Sequence, residues 1–251
     1  MAGFMYRMMK LRRSIPGASA FARAFYMRNF PEDQALEIFG HRFRSPFGIS
    51  GMDKEGQFFN QLSDFGYSFV SIGPPNLSGK DGLSTPSAII SNIRESKPRT
   101  YLAASLENDF LTSFSMLYDF VDMFIIEMTL HNSDLIEDII DELVGQRLCY
   151  DRYVPIILHL RSFIIAETES LIGFSRLSGI DGIGVDNCAE VEKIVQMTSG
   201  RVPVIAWTGM DRPEEIPSLL KAGASLVMME PTNGKFRKGA AKKAFKLLNV
   251  K

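Results

Sequence analysis

SPFGISGMDKEGQFFNQLSDFGYSFVSIG, residues 45–73, holds one full repeat of the architecture that the rest of the chain follows. A short apolar run at 47–50 reads as a strand. A helical pattern follows over 56–65, Gly66 stands where a helix-terminating glycine belongs, and a second strand-like run spans 69–73. The same alternation continues. Strand-like runs fall at 101–106, 123–129, 154–160, 182–185, 202–208 and 225–230, several continuously apolar, as strands covered on both faces are. Helical patterns fall at 111–120, 133–148, 168–177, 189–198, 212–221 and 235–248. Gly179, Gly200 and Gly223 close helices, and Asp211-Arg-Pro-Glu-Glu opens one, with Pro213 tolerated in the first turn.

Eight strands joined by helical crossovers predict an α/β protein, a (β/α)₈ TIM barrel occupying residues 35–251 as one domain. The first strand is followed by no GxGxxG fingerprint, which disfavours a doubly wound sheet. Residues 35–43, ALEIFGHRF, read as a small hairpin before the barrel, and residues 1–34 as a basic helical extension. Residues 74–100 read as one long loop.

The 251 residues are 45% hydrophobic and 23% charged, an ordinary globular balance. The net charge of −1 hides an asymmetry. Residues 1–30 carry six Lys or Arg and residues 231–251 seven, with no acid in either; the body between has fourteen more acids than bases. An acidic body without a binding motif argues against nucleic acid. The basic ends suit an anionic lipid surface, a phosphate or the acidic body itself. Two cysteines fit a reducing, cytoplasmic compartment, with residues 1–30 able to lie on the inner face of a membrane. His41, His131 and His159 have no ligand spacing, so no metal site is expected.

Barrel enzymes build their sites at the carboxyl ends of the strands. Here those ends deliver Asp53 and Lys54, then Ser105, Glu107 and Asn108, then Glu127, Thr129, His131 and Asn132. Farther round come His159 and Arg161, then Asp186, Asn187 and Cys188, then Thr208 and Gly209, then Glu230, Thr232 and Asn233. Lys54 offers a point charge for an anion or carbonyl, and His159 a group that exchanges protons near neutrality. Glu127, Asp186 and Glu230 are candidate bases, or partners for Lys54 and Arg161. Thr208-Gly209 and Thr232-Asn233-Gly234-Lys235 offer N–H groups, hydroxyls and a cation to a phosphate.

The 45–73 stretch, GIDGIGVDN at 179–187, and GRVPVIAWTGM with LLKAGASLVMME across the last two strands together resemble the dihydroorotate dehydrogenase family of FMN-dependent barrels. The resemblance runs from about residue 39 to the C-terminus. It implies oxidation of dihydroorotate to orotate in pyrimidine biosynthesis, with FMN as oxidant. It places Lys54 against both flavin and substrate, Asn132 and Asn187 on the substrate, and His159, Thr208, Gly209, Thr232 and Asn233 around the flavin. The basic N-terminal segment resembles that of the membrane-associated, quinone-using branch. The Ser or Cys base of the family falls on Leu130, its asparagines on Glu127 and Ala104, one lysine on Glu107 and another on His159. Three readings follow: a dehydrogenase of this type, a non-catalytic small-ligand- or protein-binding barrel derived from it, or other chemistry carried by His159 and Glu127.

Overall fold

The computed structural model describes residues 35–51, 53, 55–75, 77, 84–98, 100–128, 135–160, 179–232, 236–237 and 239–248. The chain starts with the expected hairpin, β1 (Leu36–Ile38) and β2 (His41–Phe43), paired antiparallel. Eight parallel strands then close a barrel. They are β3 (Phe47–Ile49), β4 (Phe69–Ile72), β5 (Tyr101–Leu106), β6 (Met123–Met128), β7 (Ile156–Leu160), β8 (Gly182–Val185), β9 (Val204–Gly209) and β10 (Leu226–Glu230). Closure comes from β10 pairing with β3, Met229 opposite Ile49.

Among the described residues the helices are α1 (Phe59–Ser63), α2 (Pro86–Ser96), α3 (Phe110–Leu117), α4 (Ile136–Arg147), α5 (Cys188–Thr198), α6 (Ile216–Lys221) and α7 (Ala240–Leu248). The helical pattern at 168–177 and the extension at 1–34 lie outside the described residues. The long loop expected over 74–100 is a misreading. Thr85 caps the N–H of Ala88, Pro86 takes the first turn, and Ile89 and Ile93, one helical turn apart, are buried. Thr85 and Pro86 read as loop punctuation in sequence, although both are also helix-start residues.

The strands alternate strictly between two cores. On β6, Phe124, Ile126 and Met128 face the helical shell, while Met123 and Ile125 face the barrel interior; β7 does likewise with Ile156, Leu158 and Leu160 against Ile157. The interior is filled by aromatics, from neighbouring strands and from the hairpin turn, that lean over strand glycines. A Cβ on Gly48 would lie 2.2 Å from the Phe69 ring, one on Gly182 2.7 Å from Phe39, and one on Gly184 2.5 Å from Trp207. A fully buried ring such as that of Phe69 stabilises the fold by roughly 1.5–3 kcal/mol. Phe43 of the hairpin packs edge-on against Phe69 and closes the amino-terminal end of the barrel. That leaves the carboxyl ends of the strands as the place for a site.

Candidate active site at the barrel mouth

Strand parity decides which side chains reach the mouth. Glu127 on β6 and His159 on β7 are direct cross-strand neighbours, and both fall on the interior parity of their strands. Nδ1 of His159 lies 2.7 Å from Oε2 of Glu127, and Nε2 lies 3.0 Å from Oδ1 of Asp186, just beyond β8. The imidazole is 1% exposed. One of its faces is covered by the indole of Trp207 on β9, with centroids 3.8 Å apart and planes 15° from parallel. Trp207 reaches His159 across β8 because Gly184, opposite His159 in register, has no side chain.

Burial alone would push the His159 imidazole down. Glu127 foremost, with Asp186, outweighs that and raises it to about 9. At neutral pH the ring is therefore an imidazolium that donates from both nitrogens. Sequence reading offered Glu127 and Asp186 as bases or as partners of Lys54 and Arg161; the structure pairs both with His159, while Lys54 and Arg161 lie outside the described residues.

Among the described residues, the rest of the mouth is hydroxyl and carboxylate. Ser71 and Ser105 share a hydrogen bond of 2.7 Å, and the hydroxyl of Ser50 donates to Glu230 over 3.0 Å. On β5 it is Ser105, not Ala104, that faces inward; Ala104 packs beneath the helices. Asp53 is 2% exposed and accepts the N–H groups of Gln57 and Phe58, ordering the turn into α1, and burial pushes its carboxyl up to about 6.

Asn187 is the N-cap of α5. Its side-chain oxygen accepts the N–H of Glu190, whose carboxylate reaches back to the N–H of Asp186. This is a variant of the capping box, and the spacing Asn187-Cys-Ala-Glu190 was its signal in the sequence. Lys54, Asn132 and Asn233, together with Leu130, lie outside the described residues. Trp207, absent from the sequence-derived set, is the chain's one tryptophan and follows the apolar run of β9.

The chain's similarities follow its fold. No family model matches it. A dihydroorotate dehydrogenase (quinone) of Christiangramia forsetii is 21% identical, over 90% of this chain and 87% of that protein. One of Wigglesworthia glossinidia brevipalpis is 20% identical, over 82% and 84%. The crystal structure of the DHODH of Eimeria tenella in complex with ferulenol superposes with a TM-score of 0.74 at 15% identity, covering 92% of this chain and 88% of that one. The chain is thus similar to dihydroorotate dehydrogenases over most of its length, at low identity.

FMN is the cofactor this relationship implies, and the described residues do not fit it. His159 is buried, with both nitrogens and a ring face already engaged. Thr208 points away from the barrel interior and donates to Glu215 over 2.8 Å. A Cβ placed on Gly209 would lie 2.5 Å from Oδ1 of Asp211 and 2.8 Å from Oγ1 of Thr232, so a carboxylate lies in front of the glycine expected to cradle a phosphate. Thr232 donates its hydroxyl to that same carboxylate. A flavin phosphate would meet a like charge there.

Proposed function

We propose that this chain is a dihydroorotate-dehydrogenase-derived barrel that binds a small polar ligand at its mouth without flavin-dependent oxidation. One observation carries the reading: the side chain at the place of the flavin-touching lysine, His159, is saturated by Glu127 and Asp186 and roofed by Trp207. A general base needs a deprotonated nitrogen within reach of its proton. His159 offers none near neutrality, and Glu127 is engaged in holding it. The same geometry weakens the idea of other acid–base chemistry at this pair.

What the mouth does offer is hydrogen bonding. Ser50, Ser71 and Ser105 present hydroxyls, and Glu230 and Asp186 present carboxylates on the same rim. Among the described residues the rim thus carries hydroxyls and carboxylates, a balance that favours a neutral or cationic polar molecule over a carboxylate-bearing one such as dihydroorotate.

The second reading is dihydroorotate oxidation with FMN. It is favoured by similarity to the quinone-using enzymes over most of the chain. A visible spectrum of the purified protein, before and after excess FMN and gel filtration, separates the two. Colourless protein supports the binding role. Yellow protein bleached by dihydroorotate overturns it and establishes the dehydrogenase.

A further inference from the structure

Helix α4 turns an acidic face to solvent. Glu137, Asp138, Asp141 and Glu142 are all exposed, and among the described residues none of them has an ion-pair partner. Glu137 and Asp138 lie in the first turn, where acids suit the positive end of the helix. Asp141 and Glu142 lie one turn farther on, each four residues from a like charge, a spacing that works against the helix. Helix α3, packed alongside, has no charged side chain to offset them. Arg147 at the end of α4 is buried against Asp181. Leucines stand bare at both ends of this face, Leu135 56% and Leu148 82% exposed.

Helix α7 has the opposite character. It carries Lys242, Lys243 and Lys246 and no acid, and it packs on the barrel through Ala240, Ala241 and Ala244. Lys243, Lys246 and Leu247 are exposed and, at i, i+3 and i+4, share one outer face. Glu214, in the turn packed against α7, reaches Lys243 at 3.6 Å, an exposed pair of the weakly held kind, and Glu215 beside it is bonded to Arg212. Strand order sets the two faces on opposite sides of the molecule: α4 follows β6, α7 follows β10, and these strands are four steps apart either way round the closed barrel.

We propose that this chain associates with copies of itself head to tail, the acidic face of α4 on one copy against the lysine face of α7 on the next. Each face supplies the charge that the other lacks, and each brings an exposed leucine to bury at the contact. With the two faces on opposite sides of one barrel, a pair of copies makes a single contact and leaves one face of each kind free, so a closed twofold dimer does not satisfy them. Association is therefore open-ended, grows with protein concentration and weakens as salt screens the charges. It involves the outer shell of the barrel and is independent of what the mouth binds.

Sedimentation velocity of the full chain over a concentration series, in about 20 mM and about 500 mM salt, tests this. The sedimentation coefficient should rise with concentration in low salt and hold at the monomer value in high salt. Asp141→Lys with Glu142→Lys, and separately Lys243→Glu with Lys246→Glu, should each weaken association at least about tenfold. Circular dichroism verifies that these surface variants fold. Mixed together, they supply one chain with two basic faces and one with two acidic faces, and the mixture should associate as the native chain does. A native chain that stays monomeric in low salt overturns the proposal, as does a folded mixture that fails to associate. Association that survives the α7 reversal also overturns it, since some other basic segment, such as residues 1–30, would then hold the acidic face. Native protein that stays monomeric yet binds anionic vesicles through α7 would assign the lysine face to lipid instead.

Discussion

His159 lies face to face with Trp207, 3.8 Å between ring centroids, and the only tryptophan of the chain is thereby in contact with a histidine whose pKa two carboxylates raise. An imidazolium stacked on an indole quenches its emission, and a neutral imidazole does so much less. Intrinsic fluorescence should therefore rise with pH along a single transition centred near 9. A midpoint near the ordinary value of 6.5 would refute the paired arrangement.

The same shift sets the pH dependence of stability. The folded value of His159, about 9, lies above its unfolded value of 6.5. The protonated ring therefore favours the folded state, fully below about pH 6.5, and the contribution is lost as pH rises through 9. Unfolding free energies from urea titrations should fall across that window, by up to about 3 kcal/mol if this group alone decides.

Glu127→Gln removes the carboxylate with the greatest effect on the ring. The histidine midpoint, followed by NMR or by Trp207 emission, should drop toward 6.5 or below, because burial then acts with only Asp186 opposing it. The variant should lose stability at pH 7 and lose less at pH 9.5, where the native ring is largely neutral. Equal losses at both pH values would mean that the pair is a neutral hydrogen bond.

Gly184→Ala should disrupt the stack without touching either ring chemically. Its Cβ would stand 2.5 Å from the Trp207 ring and 3.2 Å from Cα of His159. Overpacking of this kind costs about 1–3 kcal/mol. A red-shifted, brighter Trp207 emission, with a denaturation midpoint lowered accordingly, is the expected result.

Arg147 is the described link between α4 and the approach to β8. It is 7% exposed, bonds Asp181 at 2.6 Å and the carbonyl of Gly179 at 2.7 Å, and lies over the Tyr153 ring. Arg147→Ala should cost about 1.5–3 kcal/mol, measured by urea unfolding, with the His159 transition unmoved. A displaced transition would mean that this side of the barrel positions the mouth.

The barrel itself was legible because its signal is repetitive. Eight apolar runs at strand length with glycine-terminated helices between them leave few alternatives, and the hairpin at Leu36–Phe43 was equally plain. Helix α2 was missed because its cap, Thr85, and first-turn residue, Pro86, look the same in a loop. The mouth was half legible. Strand ends supplied Glu127, His159 and Asp186 as candidates, but Glu127 and His159 are 32 residues apart, and only the register of β6 on β7 brings them together. Trp207 could not be placed, since its partner depends on the side chain missing from Gly184 on the strand between. Thr208 was placed at the site by its position on the strand, when parity turns it outward toward Glu215.

The hydrogen bond from Ser50 to Glu230 joins residues 180 apart in sequence and lies on the seam where β3 meets β10. Closing that seam demands the longest loop in the barrel, and contacts of such separation form slowly. During synthesis β3, the first of the barrel strands, must wait for β10. Until then the sheet is open along two edges, which are the edges that invite pairing with another chain. That exposure ends when Glu230 reaches Ser50.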